Sequence, residues 1–210
     1  MGLDWIPGAR ALPGKETEFE GLLIQIKGAK DAELAELNDK LDTISSFKWD
    51  VIQFCVAGTD QEADDFLRQV YEEDKPSEPF DQWFEQFRGK KIIDLPKQCD
   101  GVPRYSNAGM YEDVDITSFR ANFLKDCEEI IGASLLEQAF NMMTASELCT
   151  YGKALQERAE EFARKRRIDL VAVDWNGDLA TDLERLNIVL CAAKYCLFWG
   201  GNGYYVHAWF

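Results

Sequence analysis

Residues 182–199 read DLERLNIVLCAAKYCLFW, and the chain continues with GGNG and the aromatic tail YYVHAWF. Between Leu186 and Trp199 the only strongly polar side chains are Asn187 and Lys194. A segment of this length that is apolar on nearly every side predicts a helix buried at the centre of the fold. The glycines that follow should reverse the chain, so that the tail folds back as a strand or a cap.

Capping signals mark the start of further helices. Thr59 with Glu62, and Thr144 with Glu147, have the Ser/Thr-x-x-Glu spacing of a capping box. The second pair should begin a long helix that ends in the basic residues 164–167, where positive charge suits the negative end of the helix dipole. The capping residues therefore predict where these two helices begin, which composition alone does not.

Two other segments have the apolar spacing of amphipathic helices. One should start at Asp31, a favourable N-cap residue, and run to residue 45. The other should cover residues 115–131 and stop at Gly132. Together these patterns predict a mainly α fold, a compact multi-helix globular domain of about seven or eight helices around the buried C-terminal helix.

A minor β-sheet is compatible with three short segments rich in β-branched and aromatic residues, which are 51–56, 168–173 and 204–208. We expect residues 1–15 to form an irregular N-terminal arm, because prolines and glycines punctuate them. Residues 96–114 have no periodicity and should form a long central loop. No segment has an independent set of elements, so the sequence predicts one domain over residues 1–210.

The charge is strongly acidic and unevenly placed. The formal net charge is −15, and residues 1–74 alone hold 17 acidic and 7 basic residues. This argues against a nucleic-acid binder, which needs a basic face. It permits a basic protein partner that is attracted over a long range. The alternative is that the acidic residues only keep the surface well solvated.

The cellular setting is inferred from what the termini and the apolar runs lack. Residues 1–10 have neither the basic start nor the apolar run of a signal peptide. The apolar run at 188–199 is interrupted by Lys194 and is too short to span a bilayer. We therefore expect a cytoplasmic protein that does not enter a membrane. The oligomeric state is left open.

Metal and cofactor chemistry has little support. The chain has one histidine, and none of its six cysteines forms a C-x-x-C pair, so a zinc site of the usual kind is not expected. Asp174, Asn176 and Asp178 are spaced like the start of a calcium loop. However, Leu179 stands where that loop needs glycine and Arg185 where it needs glutamate. We predict no metal and no cofactor.

The preferred recognition surface is the loop that contains Arg104, Tyr105, Asn107 and Tyr111. These side chains are versatile in contacts, and a loop can present them without disturbing the core. The alternative is a structural crossing whose polar groups satisfy its own backbone. No catalytic residue is predicted.

A second set of candidate binding residues comes from the turn and the tail near the C-terminal helix. The turn supplies Asp174, Trp175 and Asn176, and the tail supplies Tyr204 and His207. His207 could act as a general base, although nothing in the spacing brings it to a nucleophile. The plainer interpretation is an imidazole that is satisfied within an aromatic cluster.

Two functions are compatible with these features. The first is a non-catalytic protein-interaction module whose acidic N-terminal third binds a basic partner, as an immunity or inhibitor-type protein does; an acidic mimic of nucleic acid is a variant of it. The second is a small-molecule-binding protein or enzyme. Its pocket would be formed by the 104–111 loop, the 174–178 turn and the aromatic tail, and it requires these segments to meet in space.

Overall fold

The computed structural model of the protein describes residues 2–46, 51–97, 118–170 and 181–210. These residues form eight α-helices, one 3-10 helix and five strands, which confirms the predicted mainly α fold with a minor β component. In chain order the elements are β1 (Asp4–Ala11), α1 (Glu16–Ile26), α2 (Asp31–Thr43), β2 (Ser45–Ser46), β3 (Phe54–Val56), α3 (Gln61–Asp74), α4 (Phe80–Glu85), β4 (Lys91–Pro96), the 3-10 helix (Ala121–Cys127), α5 (Glu128–Ile131), α6 (Ala133–Gln138), α7 (Ala145–Arg166), α8 (Asp182–Gly201) and β5 (Tyr204–Trp209).

The chain divides into two compact units. Unit 1 comprises Met1–Lys48 together with Gly101–Phe210, and unit 2 comprises Trp49–Asp100. The expectation of one domain over residues 1–210 stays a prediction.

Helices α7 and α8 form the centre of unit 1, and the buried C-terminal helix is confirmed. Glycines let the two helices approach closely. A Cβ atom on Gly200 would lie 2.7 Å from the carbonyl oxygen of Ala145 and 2.8 Å from Sγ of Cys149. One on Gly152 would lie 3.0 Å from the carbonyl oxygen of Ala193. A side chain at either glycine would therefore push the helices apart.

A three-stranded antiparallel sheet with strand order β2-β1-β5 packs on these helices. Its β1 residue Trp5 has no exposed surface and stacks on Phe119, with ring centroids 5.3 Å apart. The Trp5 indole N–H donates to the carbonyl oxygen of Ala139 at 2.8 Å, and the Tyr195 hydroxyl donates to the carbonyl oxygen of Trp5 at 3.1 Å. The Trp5 indole N–H and the Tyr195 hydroxyl are thus both satisfied although they are buried.

The expectation of an irregular arm over residues 1–15 is wrong for Asp4–Ala11, which is strand β1. Pro7 and Gly8, which suggested a turn, sit at a bulge, where the register with β5 shifts between Pro7 and Arg10. Pro7 lies opposite Val206, whose N–H and C=O bond to Met143 instead of β1. The missing N–H of Pro7 therefore costs the β1–β5 ladder no hydrogen bond.

The single helix expected over residues 115–131 is also wrong in part. Residues 115–117 lie outside the described residues, and Phe119 forms an antiparallel bridge with Trp5. Both backbone bonds of that bridge are made, at 2.8 and 3.0 Å, so the chain is extended there. The helical path begins only at Ala121, as a 3-10 turn that continues into α5.

The predicted sheet has different members. Residues 54–56 and 204–209 are strands, as the composition suggested, but they belong to different sheets. Strand β5 pairs with β1, and β3 pairs with β4, which was not predicted. Of the third expected strand, residues 168–170 are not in a strand and residues 171–173 lie outside the described residues.

Of the two predicted capping boxes, one is present and the other is not. The Thr144–Glu147 capping box is present at the start of α7. Helix α3 instead begins after Asp60, whose carboxylate accepts from the backbone N–H of Val56 at 2.7 Å, so the Thr59–Glu62 box is wrong. Helix α2 has Asp31 as its first residue, not as its N-cap.

Unit 2 has its own apolar core. Helices α3 and α4 pack with the two-stranded antiparallel sheet of β3 and β4. Its buried side chains are Cys55, Ala57, Ala63, Leu67, Phe84 and Ile92. Half-buried aromatic rings pack against them, those of Phe66, Phe80, Trp83 and Phe87.

Candidate functional site

Most of the predicted site residues lie outside the described residues. These are Arg104, Tyr105, Asn107 and Tyr111 of the central loop and Asp174, Trp175 and Asn176 of the turn. The central loop is described only at residues 96–97. The pocket expected between loop, turn and tail therefore stays a prediction.

The two tail residues, Tyr204 and His207, lie on β5. Tyr204 has no exposed surface, and its ring packs edge-to-face on Trp199 with centroids 5.1 Å apart. The Arg10 guanidinium lies 5.4 Å from the centre of the Tyr204 ring. This arrangement makes Tyr204 part of the core beneath Arg10.

His207 is held by its neighbour two residues earlier. Its Nε2 lies 2.8 Å from the Tyr205 hydroxyl, and the two rings are edge-to-face at 4.7 Å. The residue keeps contact with solvent, but desolvation of the ring lowers the pKa of His207 below its ordinary value. Burial also raises the pKa of Tyr205 to about 12. The pair is thus neutral at physiological pH, a hydrogen-bonded unit rather than a charged one.

A cleft of about 600 Å³ opens beside the start of this tail, within unit 1. Its volume is in the range of pockets that hold small organic ligands. The lining combines apolar, hydroxyl and charged side chains from β1, α1, the start of α7 and the end of α8. The lining includes Arg10, Pro13, Glu16, Phe19, Glu20, Leu23, Thr144, Ser146 and Gly200.

The charged wall of this cleft is the face of α1 that carries Glu16 and Glu20, one helical turn apart. The Glu20 carboxylate accepts hydrogen bonds from the hydroxyls of Ser146 and, at 3.3 Å, Thr144. It therefore lies at the N-terminus of α7, where the helix dipole and the hydroxyl donors favour a negative charge. Sequence reasoning missed this site because no local motif links α1 to α7.

The second notable surface is acidic and belongs to unit 2. Residues 60–85 contain ten acidic and two basic side chains, and they cover α3 and α4. Asp60 pairs with Lys97 at 2.9 Å and Glu85 with Arg88 at 2.7 Å. Exposed acidic residues of these helices include Glu62, Asp65, Glu72, Glu73, Asp74 and Asp81. We call residues 60–85 the acidic segment.

Aromatic rings lie among these acids. Tyr71 packs edge-to-face on Phe80 with centroids 5.2 Å apart, and Trp83 lies 4.6 Å from Phe87. The exposed Arg68 guanidinium lies 4.3 Å from the centre of the Phe80 ring. Tyrosine, tryptophan and arginine are the residues most enriched at the energetic centres of protein interfaces.

The described residues contain no group of three or more His, Cys, Asp or Glu side chains arranged to hold a metal ion. In the same residues no helix is long and apolar enough to cross a bilayer.

Burial raises the pKa of Cys127 to about 12 and that of Cys191 to about 11, so these thiols stay protonated and are poor nucleophiles.

Comparisons with known proteins found no match for this chain. No protein-family model, no curated protein and no solved structure matches this chain at a significant level.

Proposed function

We propose that the protein is a non-catalytic interaction module whose acidic N-terminal third binds a basic protein partner, in the manner of an immunity or inhibitor-type protein. The observation that carries this proposal is the acidic excess of residues 1–74, which continues to residue 85 through the acidic segment, with its ten acidic and two basic side chains. Most of these acids are exposed on α3 and α4, where they face solvent rather than the core. A surface of one sign accelerates the encounter with an oppositely charged partner and repels partners of the same sign.

The aromatic residues in this segment supply what charge alone does not. Exposed acidic side chains steer a partner but contribute little to the lifetime of a complex. Tyr71, Phe80 and Trp83 are half-buried, so each keeps ring surface that a partner can cover. We infer that the interface has these rings at its centre and the acids of α3 and α4 at its rim.

The test compares two variants of equal net charge. Asp65→Asn, Glu72→Gln and Asp74→Asn together neutralise three exposed acids of α3. Asp126→Asn, Glu137→Gln and Glu157→Gln neutralise three exposed acids outside the N-terminal third. Wild-type and both variants are immobilised and exposed to extract of the source cell, and captured proteins are identified by mass spectrometry at low and high salt.

The proposal expects wild-type protein and the second variant to capture the same basic protein, and the α3 variant to lose most of it. Capture should also weaken as salt screens the charges. Equal capture by both variants, or capture that is insensitive to salt, would contradict the proposal. A partner with an acidic surface would contradict it as well.

A further inference from the structure

The cleft of unit 1 has a chemistry that the proposed protein interface does not use. It lies between β1, α1, α7 and α8, whereas the acidic segment belongs to unit 2. Its inner wall is formed by the buried side chains of Phe19 and Leu23 and by Gly200. Its exposed residues include Pro13, Glu16 and Ser146. The site thus has an apolar interior and a polar mouth.

The charges in the cleft select the sign of a ligand. Two carboxylates, Glu16 and Glu20, and one guanidinium, Arg10, belong to the lining. The Arg10 guanidinium lies over the Tyr204 ring. The Glu16 carboxylate accepts from its own backbone N–H and from that of Gly14, the latter at 3.0 Å, and these two bonds lower the pKa of Glu16. The Glu16 carboxylate is therefore an anion at neutral pH.

The contacts that Glu20 makes at the N-terminus of α7 disfavour an anionic ligand. The N-terminus of α7 would ordinarily attract an anion. Here the protein's own Glu20 carboxylate accepts from the Thr144 and Ser146 hydroxyls at that end of the helix. The Thr144 hydroxyl oxygen also accepts from the backbone N–H of Glu147 at 3.4 Å, so the cap itself is complete. An added anion would meet Glu20 without finding a vacant cap.

We propose that this cleft binds a small amphipathic organic cation, a primary amine with an apolar body. The ammonium group donates hydrogen bonds to the carboxylates of Glu16 and Glu20. The apolar body lies against Phe19 and Leu23, where it removes its own surface and theirs from water. An ammonium ion has three donors and no acceptor, which matches a wall of two carboxylates one helical turn apart.

The experiment uses three probes of the same length and different charge, which are octylammonium, 1-octanol and octanoate. Binding to the full chain is measured by isothermal titration calorimetry below the concentration at which the probes aggregate. The proposal expects saturable binding of octylammonium, weaker binding of octanol and none of octanoate. No saturable binding of octylammonium, or octanoate binding as tightly, would overturn it.

Three variants locate the binding. Glu20→Gln keeps an oxygen that accepts from Ser146 and Thr144 but removes the charge, and it should weaken octylammonium binding about tenfold. Glu16→Gln, at a more exposed position, should weaken it by roughly two- to fivefold. Glu33→Gln removes the same charge from an exposed position of α2 outside the cleft and should leave the affinity unchanged. An equal loss in Glu33→Gln and Glu20→Gln would show that only the net charge matters and would overturn the assignment.

Discussion

The close approach of α8 to α7 at Gly200 predicts that Gly200→Ala destabilises the protein. The new Cβ atom would lie 2.7 Å from the carbonyl oxygen of Ala145, 2.8 Å from Sγ of Cys149 and 3.0 Å from the backbone nitrogen of Cys149. Two of these three atoms belong to the backbone of α7, so no side-chain rotation relieves them. The helices must separate by several tenths of an ångström along a tightly packed contact.

The magnitude follows from two opposing contributions. Overpacking against backbone lies in the upper part of the usual range for core insertions, about 2–3 kcal/mol. Replacing glycine by alanine within a helix returns about 1 kcal/mol, because it restricts the unfolded chain and suits the helical backbone. The expected net loss is therefore about 1–2 kcal/mol, which corresponds to a fall in Tm of roughly 2–8 °C for a chain of this size.

The matched control is Gly21→Ala. Gly21 lies inside α1, and no atom lies within 4 Å of a Cβ built there, so this change should stabilise the protein by about 0.5–1 kcal/mol. Both variants are compared with wild type by urea denaturation, followed by helical circular dichroism and by tryptophan fluorescence. A Gly200→Ala variant at least as stable as wild type would refute the reasoning about the close helix contact.

Three further changes test other contacts. Gly8→Ala would place a Cβ atom against the Tyr205 ring, which lies across the β1 bulge, and should lower the free energy of unfolding by about 1–3 kcal/mol in the same urea assay; an unchanged midpoint would contradict this contact. Thr144→Ala removes the N-cap of α7 and should cost about 1 kcal/mol, whereas Thr144→Ser should recover most of it. Desolvation raises the pKa of Glu147, but the Lys27 ammonium and the Thr144 amide outweigh it, so the folded pKa lies below 4.5. The stability from this carboxylate is present above pH 4.5 and lost as the pH falls through the folded pKa, so Glu147→Gln should flatten the acid limb of the stability–pH curve measured by thermal unfolding.

Sequence patterns located the elements whose determinants are local. Helix α8 was evident because its side chains are apolar all round, and α7 because Thr144 and Glu147 form a capping box with each other. Both signals are contained within a few turns of chain. The strand in the aromatic tail after Gly203 could also be predicted from the local sequence, because strand-forming residues follow a turn.

The elements that sequence reasoning missed depend on partners far along the chain. Strand β1 contains Pro7 and Gly8, which signal a turn, and only its pairing with β5 makes the bulge a strand feature. The bridge between Trp5 and Phe119 likewise overrides the helical spacing of residues 115–131. In both cases tertiary contacts outweigh local preference.

Of the two candidate sites, the sequence revealed the acidic segment but not the cleft. The acidic excess was visible from composition, because charge counts need no fold. The cleft was not visible, because Glu20 and Ser146 are 126 positions apart in the chain and become neighbours only when α1 packs beside α7. Neither residue belongs to a motif that would have drawn attention to it.

The pairing of β1 with β5 also sets the order in which this protein can assemble. Trp5 pairs with Ala208, which lies 203 positions later, so β1 has no β5 partner until residues 204–209 have been made. At ~5–20 residues per second, a ribosome leaves β1 without β5 for roughly 10–40 s. The contacts of Trp49–Asp100 are local in sequence and carry a far smaller loop-closure cost. The residues of unit 2 can thus fold during synthesis, before those of β5 have been made.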